Sequence, residues 1–390
     1  DGKVMATLPN NACAYPFKAK MMMHGTPATP CCRFHDRFLS EADRDPAALF
    51  ADIRETMMRD EWHPGCFKCR ADEESKGSSM RTDADEFFKD FDDDLRLEYL
   101  EITVGRLCNL ACISCGFEFS HTWDKDAEAL NLPSLYKMEH FKKNAELDLD
   151  NIPLEELQHL KFMKVTGGEP FLHRQFLRLI TRLADAGIAP NVEIEIFTNC
   201  TWYPKKVDEA ALLQFKRVVI STSIDAWGEL NDLIRYPSDW VTIESTLDQW
   251  IAMRDANPDK VEVGIACTVN VLNAPSLYDF MLWARIEKRV PVILQSVYEP
   301  HYLSILHWPD WFKRGLRYTI DQQWGIDTKR FPDERIRRAH TLLTKLAEPT
   351  SANHDNSAEY LAEMERLFSL RKKSLDLAPK FSRIIETFKP

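Results

Sequence analysis

From residue 96 to about residue 300, short apolar runs alternate with longer segments whose apolar residues recur every three or four positions. The short runs are Glu98–Val104, Lys161–Thr166, Val192–Thr198, Arg217–Ile224, Val261–Val269 and Pro291–Val297, each predicted to be a strand. Between them, Phe171–Ala186, Lys206–Phe215, Thr242–Ala256 and Ser276–Lys288 are predicted helices. Six strand–helix units of this kind predict an α/β fold, a parallel sheet covered by helices. Residues 1–95 lack the alternation and offer one clear helix. It starts at the capping pair Asp45-Pro46 and continues through Ala48, Leu49, Ile53 and Met57. The acidic stretch Asp83 to Asp94 reads as a polar connector or helix. Past residue 325, Leu361, Met364, Leu367 and Leu370 predict a helical extension with an apolar packing stripe. Three regions follow: 1–95, 96–325 and 326–390.

Composition narrows the class. The 390 residues carry 61 Asp and Glu against 50 Lys and Arg. That balance disfavours a protein held to nucleic acid mainly by neutralising phosphates. No apolar run approaches the ~20 residues of a membrane helix, and Asp1–Asn11 lacks a basic-then-apolar signal pattern. The expectation is a cytoplasmic protein whose thiols stay reduced. Eight of the ten cysteines precede residue 116, which suits metal centres better than a disulfide framework.

The densest chemistry is Cys108-Asn-Leu-Ala-Cys112-Ile-Ser-Cys115, three thiols in eight residues on the loop leaving the first predicted strand. Three cysteines can hold three irons of a cubane and leave the fourth open. Part of a zinc site is the other reading, although structural zinc wants four ligands and favours paired Cys-x-x-Cys knuckles. After the second predicted strand comes Gly167-Gly168-Glu169-Pro170. The two motifs, in this order and each after a strand, resemble the radical S-adenosylmethionine (SAM) enzymes. The resemblance implies a partial (β/α)6 barrel of the TIM type. In it Cys108, Cys112 and Cys115 bind a [4Fe–4S] cluster whose open iron is chelated by SAM, and the Gly-Gly-Glu-Pro turn binds the SAM amino group. It further implies that Asn199 holds the ribose and that Ser223, Asp225 and Arg235 complete the SAM site. Ala226 departs from the family's glycine in the Ser-x-Asp-Gly turn. A zwitterionic methionine end wants one carboxylate and one guanidinium, which Glu169 and Arg235 supply. All these residues follow strands, the face on which parallel β/α barrels place their sites.

A second constellation lies in residues 1–95: Cys13, then Pro30-Cys31-Cys32, then Cys66-Phe-Lys-Cys69. Its order resembles the SPASM and twitch modules of radical SAM enzymes, here placed before the barrel. The Gly25-to-Cys31 spacing is one residue longer than usual. The resemblance implies an auxiliary [4Fe–4S] cluster on Cys13, Cys31, Cys66 and Cys69, with Cys32 a substitute for Cys31. A structural zinc site and unconnected thiols are the alternatives. His24, His35 and His63 are expected to be ordinary hydrogen-bonding residues, and Cys200 and Cys267 core or pocket-lining thiols.

The expected activity is reductive cleavage of SAM to a 5′-deoxyadenosyl radical, with no catalytic side chain beyond the cluster and SAM. The substrate is a peptide or small molecule. Its electron donor is a flavodoxin or ferredoxin, and the auxiliary cluster transfers electrons. The alternatives are a radical SAM enzyme modifying a nucleotide or nucleic-acid base, and a non-catalytic iron–sulfur or zinc scaffold.

Overall fold

A computed structural model describes residues 8–24, 26–35, 45–88, 91–92, 94–116, 119–131, 147–324, 334–349 and 355–390. Gly25, with the spacing read from it, lies outside them. Among the described residues, seven strands are present: β1 (Ala19–Met23), β2 (Tyr99–Thr103), β3 (Phe162–Thr166), β4 (Glu193–Thr198), β5 (Arg217–Ser223), β6 (Val261–Val269) and β7 (Val292–Ser296). Their order in the sheet follows the chain. The pairs β1/β2, β2/β3, β3/β4 and β6/β7 are parallel.

The sheet therefore has one more strand than the six expected. The missed strand, Ala-Lys-Met-Met-Met, has no β-branched or aromatic residue and no polar–apolar alternation, so neither sequence signal applies. The described residues of 1–95 also hold three long helices instead of one: Pro46–Met58, Phe67–Lys76 and Met80–Phe87. The last of these takes up the start of the acidic stretch and is closed by a Ser79–Thr82 capping box.

Chain contacts divide the protein into two compact units. The first joins Asp1–Arg106, Met138–Ile196 and Pro204–Val218, and the second joins Leu107–Lys137, Phe197–Tyr203 and Val219–Pro390. In the first unit, Leu49, Ile53 and Met57 of Pro46–Met58 pack with Ala12, Tyr15 and Phe88. The Tyr15 ring meets Phe88 and Tyr99 edge-on at 5.7 and 5.4 Å. Alternation along β3 buries Met163 and Val165 fully. Across the other face, Glu101, Lys164 and Glu195 share one register row. In the second unit, the C-terminal stripe is placed differently from the expectation. Tyr360, Met364, Leu367 and Phe368 are the buried face of Ser357–Leu370, and Leu370 is exposed. Repeated three-residue steps drift around a helix of 3.6 residues per turn, so Leu361 and Leu370 cannot share a face. Among the described residues, no helix is long and apolar enough to cross a membrane.

Lys18 is the buried charge on which the entry to β1 depends. Its ammonium contacts the Asp92 carboxylate, Glu98 at 3.5 Å and the Asp94 carbonyl at 2.7 Å. Glu98 also receives Lys161 at 2.6 Å and Arg96 at 3.1 Å. Burial opposes its ionisation, but those hydrogen bonds hold its carboxyl below the usual range. Its contribution is thus present above the unfolded carboxylate pKa of about 4.3 and lost as pH falls through the lower folded value. Lys18→Met should cost about 1.5–3 kcal/mol, the worth of charge-assisted hydrogen bonds, because Arg96 and Lys161 still pair the carboxylates it leaves. Urea denaturation at pH 7 measures it, and a loss under about 1 kcal/mol contradicts the assignment.

Candidate functional site

The loop after β2 carries Cys108, Cys112 and Cys115. Cys108 and Cys112 are buried with Leu110 in one apolar cluster against which Cys115 packs. Backbone hydrogen bonds fix the loop: Ala111 N donates to Tyr236 O at 2.5 Å and Ile113 N to Ile234 O at 2.9 Å. Side chains after the loop fold back on it. Thr122 Oγ1 donates to Cys108 O (2.6 Å), Ser120 Oγ to Leu110 O (2.5 Å) and Trp123 Nε1 to Cys112 O (2.9 Å). The cysteine carbonyls are thereby satisfied while the sulfurs remain as the loop's chemical surface. Burial pushes the Cys112 thiol up. It does the same to Cys115, where the charges of Cys112 and Cys108 add to it. Such thiols ionise only beside compensating positive charge, which a bound metal supplies.

The same unit brings three more expected residues to this loop. Asn199, buried at the end of β4, donates from Nδ2 to Cys108 Sγ at 3.6 Å and to Asn109 Oδ1 at 2.9 Å. Its own Oδ1 accepts from Thr201 N and Oγ1 at 2.9 and 2.6 Å, which fixes the amide's orientation. Asp225 is fully buried. It accepts from Arg235 Nη1 at 2.9 Å and from Thr268 N at 2.7 Å, so its carboxylate anchors the guanidinium. Arg235 is pushed up against the effect of burial by Cys112 and Asp225, and its Nε has no hydrogen-bond partner among the described residues. Ser223 ends β5, half-buried. Cys267 is buried, and its thiol donates to Asp225 O at 3.6 Å.

Gly167-Gly168-Glu169-Pro170 follows β3 in the first unit. Gly167 has φ +124°, and a Cβ there would stand 2.9 Å from Val104 N. That nitrogen cannot withdraw, because it donates to Thr166 O in the β2/β3 ladder. Gly168 N donates to Gly105 O at 2.8 Å, tying the turn to the end of β2. Glu169 is fully buried, and its Oε1 accepts from Phe171 N at 3.2 Å. This cap opens a 3-10 turn, Pro170–Leu172, so the following helix begins at Arg174 rather than Phe171.

Also in the first unit, one cavity is lined by Cys13, Cys31, Cys66 and Cys69, with Trp62 and Arg81 beside them. Cys66 occupies the N-cap position of the helix Phe67–Lys76, and Cys69 lies in its first turn. His63 Nδ1 accepts from Gly65 N, and its Nε2 lies 3.1 Å from Asp52. Gly65 is required: a Cβ would come within 2.4 Å of the Phe34 ring. Arg81 clamps the segment before Cys13 through the carbonyls of Asn10 and Ala12, while Glu73 holds its other end. Burial, with the neighbouring Cys31 and Cys69, pushes Cys66 up to about 12. Cys32 does not line the cavity. It is exposed, and its sulfur lies 3.9 Å from Met80 Sδ.

Among the described residues, no three His, Cys, Asp or Glu side chains gather as a site for a single metal ion. A cubane asks something different of its ligands, since each thiolate binds its own iron. In donor chemistry both sets fit such a cluster: all-sulfur ligands, apolar surroundings and N–H donors or cations nearby. The sequence did not single out Asn109, Trp123, Tyr236 or Arg81, because their contacts with the site form only on folding and leave no motif.

No family model matches the chain. A curated relative, a probable GTP 3′,8-cyclase of Sulfurisphaera tokodaii, is 30% identical over 103 residues, 26% of this chain and 27% of that protein. Native anSMEcpe with bound AdoMet is a similar solved structure (TM-score 0.40, 18% identity, 60% of this chain and 61% of that chain). Streptococcus suis SuiB bound to S-adenosylmethionine is another (TM-score 0.34, 16% identity, 60% and 45%). The matched part spans about a quarter of the curated relative's length and three fifths of anSMEcpe's.

Gly167→Ala should destabilise the protein by about 1–3 kcal/mol, because strain and backbone collision coincide. Gly187→Ala, at φ +71° with open space around its Cβ, should cost only about 1 kcal/mol. Chemical denaturation of both variants compares them; equal losses would remove the close-approach argument.

Proposed function

We propose that this chain is a radical SAM enzyme. The observation that carries the reading is the gathering of Cys108, Cys112 and Cys115 in one buried cluster, on a motif that resembles that family's. A [4Fe–4S] cluster held there would, with SAM, supply reductive cleavage of SAM to a 5′-deoxyadenosyl radical and hydrogen abstraction from the substrate. The protein's own residues bind and orient. Cys108, Cys112 and Cys115 would hold three irons. Asn199 directs an N–H at the Cys108 sulfur, which draws off electron density. Asp225 would set Arg235 for the SAM carboxylate, and Glu169 would offer a carboxylate to the SAM ammonium. Ser223 stands ready for the ribose or carboxylate.

The substrate we favour is a peptide or small molecule, with a flavodoxin or ferredoxin as reductant. The curated relative's name, a GTP cyclase, favours a nucleotide as the second reading. The cavity ringed by Cys13, Cys31, Cys66 and Cys69 supports an auxiliary [4Fe–4S] cluster, and four thiolates around it suit electron transfer better than substrate binding.

Anaerobic reconstitution should give about eight irons per chain, two cubanes. Replacing Cys108, Cys112 and Cys115 together with Ala should remove about half and abolish release of 5′-deoxyadenosine from SAM under strong reductant. Full iron retention, or unchanged release, sinks the site assignment. In the auxiliary set, Cys66→Ala should remove up to about four irons and spare uncoupled SAM cleavage, whereas Cys32→Ala should leave iron unchanged. Iron lost from the Cys32 variant alone would reverse the ligand choice, and zinc at full occupancy after anaerobic purification would replace the cluster.

A further inference from the structure

The helix Ser357–Leu370 ends at Arg371, a cation buried to 4% exposure far from both cysteine motifs in sequence. Its Nε donates to Asp126 Oδ2 at 2.8 Å. Its guanidinium lies over the rings of Trp123, at 4.5 Å, and Tyr236, at 4.9 Å. Among the described residues, its Nη1 and Nη2 have no hydrogen-bond partner. Arg366, five residues earlier, donates to Leu130 O at 2.7 Å. The helix Ser357–Leu370 and its Arg371 cap thus grip Trp123–Ala129, the helix after the cysteine loop, at both ends.

The two rings under Arg371 belong to the residues that clamp that loop. Trp123 holds the Cys112 carbonyl, and Tyr236 accepts from Ala111 N. A guanidinium buried with two nitrogens unpaired is costly unless negative charge lies nearby. Asp126 meets one side of it only. One ring separates the guanidinium from the Cys112 backbone, since Trp123 lies against Arg371 and donates to the Cys112 carbonyl at 2.9 Å. A cluster on these thiolates gains a negative charge on reduction, and a nearby buried cation favours the more negative form. Net charge, hydrogen bonding and solvent exposure are the protein's levers on such a potential.

Resting on the reading that Cys108, Cys112 and Cys115 hold a cluster, we propose that Arg371 is a positioning residue that raises that cluster's reduction potential. It acts by lodging a desolvated positive charge on the two aromatic residues that fix the cysteine loop. The far end of the chain thereby sets how readily the site accepts its electron. No role in binding substrate is assigned to it.

The test is an EPR-monitored redox titration of the reconstituted full chain, following the cluster whose spectrum changes when SAM is added. R371M keeps an apolar side chain over the rings and removes the charge. It should retain its iron and shift the potential down by about 59 mV, a tenfold loss of reduced cluster at fixed poise. R371K keeps the charge and should lie closer to the wild type than R371M does. A potential unchanged in R371M, or R371K displaced as far as R371M, overturns the proposal. If R371M holds no cluster, the decision passes to D126N, which removes the offsetting carboxylate and should shift the potential upward; no shift there overturns it too. Absence of a SAM-responsive cluster in the wild type would instead refute the functional reading itself.

Discussion

Two sets of thiols held out of water among apolar side chains impose the main constraint on this protein. A thiolate in such surroundings is expensive, and several together repel one another, which pushes the Cys13, Cys31, Cys112 and Cys115 thiols up. Much of the local architecture arranges ligands without letting them ionise alone. In one unit, Thr122, Ser120 and Trp123 satisfy the carbonyls of the cysteine loop, leaving the sulfurs presented. In the other, the start of the helix Phe67–Lys76 and Arg81 place partial and full positive charge beside four sulfurs.

The same economy of placement governs the polar residues around Cys108. Asp225 would be a poor direct ligand for anything, because Arg235 and a backbone amide already occupy it. Its value is in fixing the guanidinium. Asn199 is likewise oriented by Thr201 before it reaches a sulfur. Sites prepared this way lose little freedom when a charged ligand arrives.

Legibility in the sequence followed physical cause. Strands β2 to β7 were readable because β-branched and aromatic residues fill short runs between helical periods. β1 was not, since three consecutive methionines carry no such signature. The glycine turn was legible because a positive φ restricts the residue types allowed, and the cysteine spacing because it resembles a known motif. Arg371, Trp123 and Tyr236 were invisible because contacts formed only by folding set their role. The C-terminal stripe was misread by stepping in threes, where the buried face follows Tyr360, Met364, Leu367 and Phe368.

The outer edge of β1 has a consequence for how the protein is made. β1 is the first strand of the sheet, and its outward backbone groups at Met21 are capped by an isolated bridge to Thr29, two residues before Cys31. An uncapped edge strand invites pairing with another chain. A metal centre anchored at Cys31 would therefore also act as a latch on the sheet's margin. Until the Met21–Thr29 bridge forms, the margin of the sheet is open to pairing with another chain.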